Sequence, residues 1–457
     1  MDRKIGTGTK LFYGLGSFGY GSIGQTMGSF LMFFGTGVLE IPGILMGIAL
    51  AASTLWDATT DPFVGHFSDN TKSRLFGKRH GWILFGCIAV AITNLLIWSI
   101  SPLWPVLTKF FVLLGLLLVY ETFCTVYSTP YGALGLDLSK SYNERTAVQG
   151  YKTIFSFLSL LVPSLLMGVF LSPNKTTGMN SSNTGYQNIA IITSSLCIIC
   201  GLIAFTGTFK HKTLDKKDMP PGFNNKNIFA DFFGIIGQKN VARLIAGYAV
   251  SLGAGAFLTS LGMHVFTYTF QFSANQISTI MVCLIGGIVL GQPFWFWISR
   301  KTDKINALLC ALATILTGMA VFSIVIVFRN CVSLNTTLLL TAVTIFVCGA
   351  GTGCLYSLPI SMYADCIFLN RQKTGIDKTA KSAGFLTFCT KISNAVIMFI
   401  IGLSLDLVGF IGNKPVQSVS TQNWLGWLLI AGVVCASVTA MFIYSKYSYS
   451  KKDFICK

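Results

Sequence analysis

Twelve apolar segments, each long enough to cross a bilayer as a helix of about 20 residues, take up most of the chain. They lie near 11–35, 42–66, 82–101, 106–136, 147–171 and 186–207, then near 242–268, 275–298, 307–328, 337–366, 383–410 and 424–445. Hydrocarbon offers no partner to a free backbone amide, so segments of this kind must be helical. The residues between them are too few to build a separate soluble domain. With 53% hydrophobic and only 11% charged residues, the expected fold is an all-α membrane protein of twelve transmembrane helices. Met1–Lys10 leads straight into a glycine-rich span, and no cleavable signal is expected there.

The net charge of +17 would suggest nucleic acid in a soluble protein. Here it sorts by side of the membrane. The N-terminus and the alternate loops on its side hold 27 of the 33 Lys and Arg, and the opposite loops hold 3 (Lys175, Arg329, Lys414). The remaining 3, Lys109, Lys152 and Lys391, lie within spans. This asymmetry places both termini in the cytoplasm, with a plasma membrane (the inner membrane in a bacterium) as the expected location. No nucleic-acid partner is implied. The thirteen cysteines fall mostly in spans and form no CxxC pair of metal-site spacing; they are expected to be buried small hydrophobes.

Chemistry concentrates in the second span, at Trp56-Asp57-Ala58-Thr59-Thr60-Asp61-Pro62. Two carboxylates at i and i+4 share one helix face, about 5–6 Å apart at Cβ. An ionised acid in hydrocarbon is costly and ordinarily faces a cavity and a partner. Two like charges this close also disfavour each other unless a cation or proton sits between them. Asp57 and Asp61 therefore read as a site for a small cation or a proton. The plainer alternative, Asp61 capping a helix that ends before Pro62, leaves Asp57 unexplained.

The chain repeats itself at half its length. Pro62-Phe63, followed by Ser68 and Thr71, returns as Pro293-Phe294, followed by Ser299 and Thr302, at an offset of 231. Tyr127-Ser128-Thr129-Pro130 returns as Tyr356-Ser357-Leu358-Pro359 at 229, and acids follow as Asp137 and Asp365. The expected domains are an N-terminal six-helix half over 1–209, a cytoplasmic linker over 210–241 with Pro220-Pro221-Gly222, and a C-terminal half over 242–457. Parallel six-helix repeats joined in this way are the build of the major facilitator transporters. The copies differ at one point of interest: Gln292 stands where Asp61 stands, so cation chemistry is expected in the first half only. Lys391, in the eleventh span, either snorkels to an interface or pairs with a buried acid.

Gly14-Leu15-Gly16-Ser17-Phe18-Gly19 matches GxGxxG, but it follows no strand and opens no βαβ unit. Close approach of helices explains it better. The loop from Ser68 to Arg79 mixes acid and base and suits a clamp on neighbouring helix ends. His66, His80, His211 and His264 are scattered, with His80 and His211 in basic loops and His66 at the cytoplasmic end of the second span. No HExxH and no serine–histidine set is visible, so an enzyme is not expected. His264 reads as a satisfied helix–helix histidine and Asp406 as an outer-interface residue. Sequons begin at Asn174, Asn180 and Asn335 in outer loops, where chance explains them as well as modification does.

The second-span motif, the Ser68–Arg79 loop, Thr129-Pro130-Tyr131, Asn143-Glu144-Arg145-Thr146 and Lys391 together resemble the glycoside–pentoside–hexuronide:cation symporters, the melibiose permease family. The resemblance covers nearly the whole chain. It implies symport of a small organic solute, most simply a sugar or glycoside, coupled to Na⁺, Li⁺ or H⁺, by a protein that works as a monomer and needs no cofactor. It places the coupling ion at Asp57, Thr60, Asp61 and Thr125, with Lys391 close by, and a solute cavity at Tyr20, Gly21, Glu121, Ser128, Lys152 and Tyr356.

There are departures. The family's two sugar-binding acids fall at Gly21 and Ser128, and its sugar-packing tryptophan at Gly132. Glu121 takes either a polar role in the site or a structural hydrogen bond. The same family resembles the animal sodium-coupled lysophosphatidylcholine symporters, whose amphipathic cargo suits a chain with 37 Phe. A channel or scramblase would also place polar groups in spans, but without a cation-sensitive acid pair.

Overall fold

The computed structural model describes residues 5–71, 73–138, 142–171, 183–211, 239–374, 379–412, 414 and 416–449. Most of the linker expected over 210–241 lies outside the described residues, as do the sequons at Asn174 and Asn180 and the side chains of Asn143, Arg145 and His211. Among the described residues every regular element is helical. The main helices are α1 Thr7–Phe33, α2 Gly43–Asn70, α3 His80–Trp98, α4 Val106–Asp137, α5 Tyr142–Phe170 and α6 Asn183–Thr208. They continue as α7 Lys239–Ala256, α8 Ala274–Lys301, α9 Lys304–Phe328, α10 Leu334–Leu355, α11 Leu358–Thr374, α12 Thr379–Leu407 and α13 Val419–Ser445.

Ten segments among the described residues are long and apolar enough to cross a membrane. The other two expected spans are α1 and α2. At 27 and 28 residues each is about 40 Å long at 1.5 Å per residue, but glycine dilutes the apolar character of α1, and Asp57 and Asp61 that of α2. The chain divides into two compact units, Met1–Asn224 with Ile411–Asn413, and Asn225–Phe410 with Lys414–Lys457.

Inside the first unit α1 packs on α5 and α6, α4 on α2 and α3, and α3 on α6. Inside the second, α7 packs on α12 and α13, α10 on α8 and α9, and α9 on α13. The two sets of pairings correspond helix for helix. The correspondence reaches the backbone: α1 runs on into a π turn at Phe34–Val38, and the helical stretch that continues beyond α7 closes in another at Val265–Thr269, 231 residues on. Among the described residues, Glu40 (φ 56°) and Gln271 (φ 54°), again 231 apart, are the non-glycine residues with left-handed backbone. Leu39 N–H donates to Phe34 O at 2.9 Å, and its counterpart Phe270 N–H to Val265 O at 3.1 Å.

Glycine decides which helices touch backbone to backbone. A Cβ at Gly14 would strike Phe155 of α5, one at Gly16 would strike Tyr131 of α4 and Ala204 of α6, and one at Gly19 the backbone of α6. The GxGxxG stretch is thus a packing seam. Tyr13 and Tyr131 reinforce it by donating their hydroxyls to each other's carbonyl oxygens. Lys10 adds an ion pair to Glu144 at 2.7 Å between the first turns of α1 and α5.

Of the two repeated prolines, Pro62 and Pro293 both lie inside continuous helices, whereas Pro130 and Pro359 differ. Pro62 and Pro130 are inside continuous helices, and α2 runs eight residues past Pro62. Asp61 is therefore an interior helical residue and not a cap. The repeat's Pro359 instead sits where the chain breaks at Tyr356–Ser357, between α10 and α11. Gly349, Gly351 and Gly353 precede that break, weakening the helix just where proline removes one more backbone bond.

His80 differs from the sequence expectation. It is the first residue of α3 and is buried (1% exposed), with Nε2 3.0 Å from Thr208 Oγ1 and its ring edge-on to Phe205 and Phe209. The helix begins earlier than hydropathy suggests because α6 offers an aromatic and hydroxyl-bearing socket. His264 is buried as expected, 3.3 Å from Ser260 O and edge-on to Phe410. Lys109 lies in the first turn of α4, where Nζ donates to Pro102 O at 3.1 Å. The Ser68–Arg79 loop forms the expected clamp: Arg79 reaches Ser68 Oγ at 3.1 Å and Asp137 at 3.4 Å. The second unit repeats the device with Lys304, bonded to Ser361 Oγ at 2.8 Å and Asp365 at 2.5 Å.

Candidate cation site

Asp57 and Asp61 project from one face of α2 onto α4, and a single hydroxyl receives both. Thr125 Oγ1 is 2.9 Å from Asp57 Oδ1 and 3.2 Å from Asp61 Oδ1; Thr125 is 1% exposed. Thr60 Oγ1 stands 3.5 Å from Thr125 Oγ1 and donates to Asp57 O at 3.2 Å. One turn up, Trp56 Nε1 donates to Thr122 Oγ1 at 2.9 Å, pinning α2 to α4 beside the acids.

A hydroxyl has one proton and two lone pairs. Thr125 can satisfy one carboxylate at a time, and its own helix competes through Glu121 O at 3.2 Å. Two anionic oxygens thus converge on one donor. That arrangement favours a small cation or a proton, which can face both oxygens together with the hydroxyls of Thr60 and Thr125. Among the described residues no group of three or more His, Cys, Asp or Glu gathers as it would for a transition metal. The donor set is carboxylate and hydroxyl oxygen, suited to a hard monovalent ion.

The repeat explains why only one half has this site. At offsets of 231 and 229, Asp57, Asp61 and Thr125 correspond to Ile288, Gln292 and Cys354. Trp56, Thr60, Tyr120 and Cys124 correspond to Gly287, Gly291, Gly349 and Gly353. In the second unit a Cβ at any of these four glycines would strike the facing backbone: Gly287 and Gly291 meet α10 at Phe346 and Ala350, while Gly349 and Gly353 meet α8 at Leu284 and Ile288. The α8–α10 contact is closed by backbone, and the α2–α4 contact is built from side chains.

Around the acids the first unit adds an aromatic and polar rim. Tyr20 stacks on Tyr127 with centroids 5.1 Å apart. Tyr120 and Cys124 are buried one turn apart on α4. Tyr120 and Cys124 went unnoticed in the sequence, although Tyr120-Glu121 and Cys124-Thr125, one turn apart, place two adjoining polar faces on α4. Tyr127 stacks on Tyr131 at 5.3 Å, and Lys152 Nζ lies 5.6 Å from the Tyr131 centroid. Ser128 is half-buried on α4, three residues beyond Thr125.

Not all the expected solute residues gather here. Gly21 faces α5, where a Cβ would collide with Ser159 Oγ, so glycine there answers to packing. Lys391 and Tyr356 belong to the second unit. Lys391 is half-buried on α12, and the Tyr356 hydroxyl lies beside Gly255 of α7. Within that unit a cavity of about 370 Å³ opens between α7, α11 and α12, lined by Tyr248, Ile360, Tyr363, Ile367, Leu386 and Thr390. Its walls are largely apolar.

Comparison with known proteins bears on this arrangement. Residues 12–451 match the family model described as MFS/sugar transport protein. The sodium-dependent lysophosphatidylcholine symporter 1 of Xenopus tropicalis is 21% identical, over 98% of this chain and 89% of its own. An uncharacterised symporter of Synechocystis is 23% identical over 92% of this chain and 89% of its own. Among solved structures, the xylose transporter XylE from E. coli superposes with a TM-score of 0.66 at 12% identity, over 97% of this chain and 96% of its own. The nucleoside transporter NupG does so with 0.64 at 15%, over 96% and 99%. These two likenesses establish the fold.

Proposed function

The chain belongs to the MFS/sugar transport protein family, a family of membrane transporters and not of enzymes, and we propose that within it this protein is a Na⁺-coupled symporter acting by alternating access. The observation that carries the proposal is the convergence of Asp57 and Asp61 on the one hydroxyl of Thr125. With no cation the two acids repel each other. A bound Na⁺ relieves both and draws α2 to α4 at the register of Tyr20 and Glu121. A solute that touches those residues then binds better, and by linkage it tightens Na⁺ equally. Li⁺ and H⁺ are the competing ions. Lys391 remains in the proposal through the resemblance alone.

For the solute, an amphipathic lysophospholipid is favoured over a sugar by a specific observation. The position of one sugar-binding acid is Gly21, where a Cβ would collide with the Ser159 hydroxyl, and the second is neutral Ser128. The apolar cavity of the second unit suits a hydrocarbon chain, and the lysophosphatidylcholine symporters are relatives over nearly the whole chain.

Uptake into vesicles, with and without a Na⁺ gradient, tests both parts. Lysophosphatidylcholine uptake that needs Na⁺ and is lost in D57C/D61C is the expected result. Na⁺-driven uptake of a glycoside instead would move the solute back to sugar while sparing the coupling. Uptake indifferent to Na⁺ and to both substitutions would refute the coupling.

A further inference from the structure

Four tyrosine rings stack in a row between α1 and α4. Tyr13 lies on Tyr131 with centroids 4.6 Å apart and planes 15° from parallel, Tyr131 on Tyr127 at 5.3 Å and 16°, and Tyr127 on Tyr20 at 5.1 Å and 27°. Such separations belong to the range of interacting aromatic pairs, about 4.5–7 Å. Tyr127 and Tyr131 meet because they are i, i+4 on α4. Tyr13 and Tyr20, two turns apart on α1, cover the two ends of the row, so both end pairs cross from one helix to the other. Gly16 lies between them, where a Cβ would strike Tyr131 Cε2 and the Tyr127 hydroxyl. Tyr13, Tyr127 and Tyr131 are buried. Since α1 packs chiefly on α5 and α6, and α4 on α2 and α3, the rings bridge two helices whose main neighbours differ.

Three hydroxyls fix the row to backbone. Tyr127 donates to Gly16 O at 2.9 Å, Tyr13 to Tyr131 O at 3.1 Å, and Tyr131 to Tyr13 O. Donors engaged by carbonyls do not hand protons from ring to ring, so this is not a proton path. Nor does filling space call for four rings. At the offsets of the repeat the second unit has Leu244, Ser251, Tyr356 and Ile360 in the same places. The row belongs to the unit that holds the acid pair, and Tyr127 stands two residues from Thr125.

We propose that the tyrosine row couples the cation site to α1. When the ion draws α2 and α4 together, α4 carries Tyr127 and Tyr131 with it, and the rings stacked on them displace α1. A close-packed interior is barely compressible and passes such a shift on. The coupling rests on the Na⁺ site proposed at Asp57, Asp61 and Thr125, and extends its effect to a helix that supplies none of those ligands. Tyr127 and Tyr131 act as positioning residues. What they move is the stretch of α1 beyond Tyr20, where a Cβ at Gly24 or Gly28 would meet no atom within 4 Å.

Hydrogen–deuterium exchange of the purified full chain, read by mass spectrometry in Na⁺ against K⁺, tests this without knowledge of the solute. In wild type Na⁺ slows exchange in α2 and α4, and slows it in α1 around Gly24 and Gly28 by about fivefold or more, the lower end of ordinary coupling between sites. In Y127L/Y131L the response of α2 and α4 persists and that of α1 is lost. Y127L and Y131L singly, each leaving one ring pair across the helices, lower it in part and serve if the double variant does not fold. Y127F/Y131F keeps the rings and keeps the response. The coupling is refuted if α1 answers Na⁺ in the leucine variants as it does in wild type, or if wild-type α1 is silent while α2 and α4 respond. It is refuted equally if Y127F/Y131F loses the response as fully as Y127L/Y131L, which would assign the effect to the hydroxyls and not to the stack. Silence of α2 and α4 in wild type would instead refute the cation site, and the coupling with it.

Discussion

Thr125 on α4 holds its hydroxyl oxygen 2.9 Å from Asp57 Oδ1 on α2, and the same oxygen is within hydrogen-bonding distance of Asp61. One proton cannot serve two carboxylates. A cation placed between the two carboxylates and this hydroxyl would serve all three oxygens at once, which would link ion binding to the α2–α4 contact.

If Thr125 is the shared donor and ligand, T125V weakens Na⁺ binding while T125S preserves it. A hydrogen bond to a charged acceptor is worth about 1.5–3 kcal/mol, which is about tenfold to a hundredfold in affinity. Na⁺-dependent thermal stabilisation of the purified protein reads this without knowledge of the solute. A T125V titration that overlays wild type would remove Thr125 from the site.

Neutralising one acid separates binding from stability. D57N and D61N each abolish stabilisation by Na⁺. Their melting temperatures without Na⁺ stay equal to wild type or rise, because repulsion between like charges is gone. A D61N protein stabilised by Na⁺ as well as wild type would leave Asp57 to bind the ion alone.

Gly21 answers to packing. G21A forces a methyl group into Ser159 of α5 and destabilises the chain by about 1–3 kcal/mol, the usual scale of overpacking. S159G added to G21A restores most of the loss in thermal unfolding. Equal melting points for G21A and wild type would mean that the site has slack, and would readmit Gly21 as a lining position for solute.

The pair Lys304–Asp365 is one-third exposed on both sides, so losing it costs only about 0–1 kcal/mol of stability. Its effect appears instead in transport rate, since the pair fastens α9 to α11. The swap K304E/D365K recovers the rate in vesicle uptake. A swap no better than K304E alone would show that the geometry around Ser361 matters more than the charge pair.

Much of the site was legible because helical spacing is rigid. Asp57 and Asp61 at i, i+4 had to share a face, and their cost in hydrocarbon demanded a partner. The partner's side was less legible. Thr125 could be assigned by resemblance, but Tyr120 and Cys124 look like ordinary lining residues until α4 is seen turned toward α2. Gly21 was expected among the solute residues; whether a glycine borders a cavity or a neighbouring helix depends on α5, which local sequence does not report. His80 looked like a loop residue for the same reason, its socket being provided by α6.

The sequence by itself determined the all-helical membrane build, the repeat near 231 residues and the placing of two acids on one helix face. Each follows from short-range rules: hydropathy over a span, the 3.6-residue turn and the matching of motifs. Tertiary structure alone decided that α2 and α4 meet through side chains while α8 and α10 meet through backbone. Four glycines, Gly287, Gly291, Gly349 and Gly353, close the second contact to any Cβ. Trp56, Thr60, Tyr120 and Cys124 hold the same registers in the first. The bulk facing across a helix pair, a property of two distant segments at once, sets whether carboxylates and a hydroxyl can share the space between them.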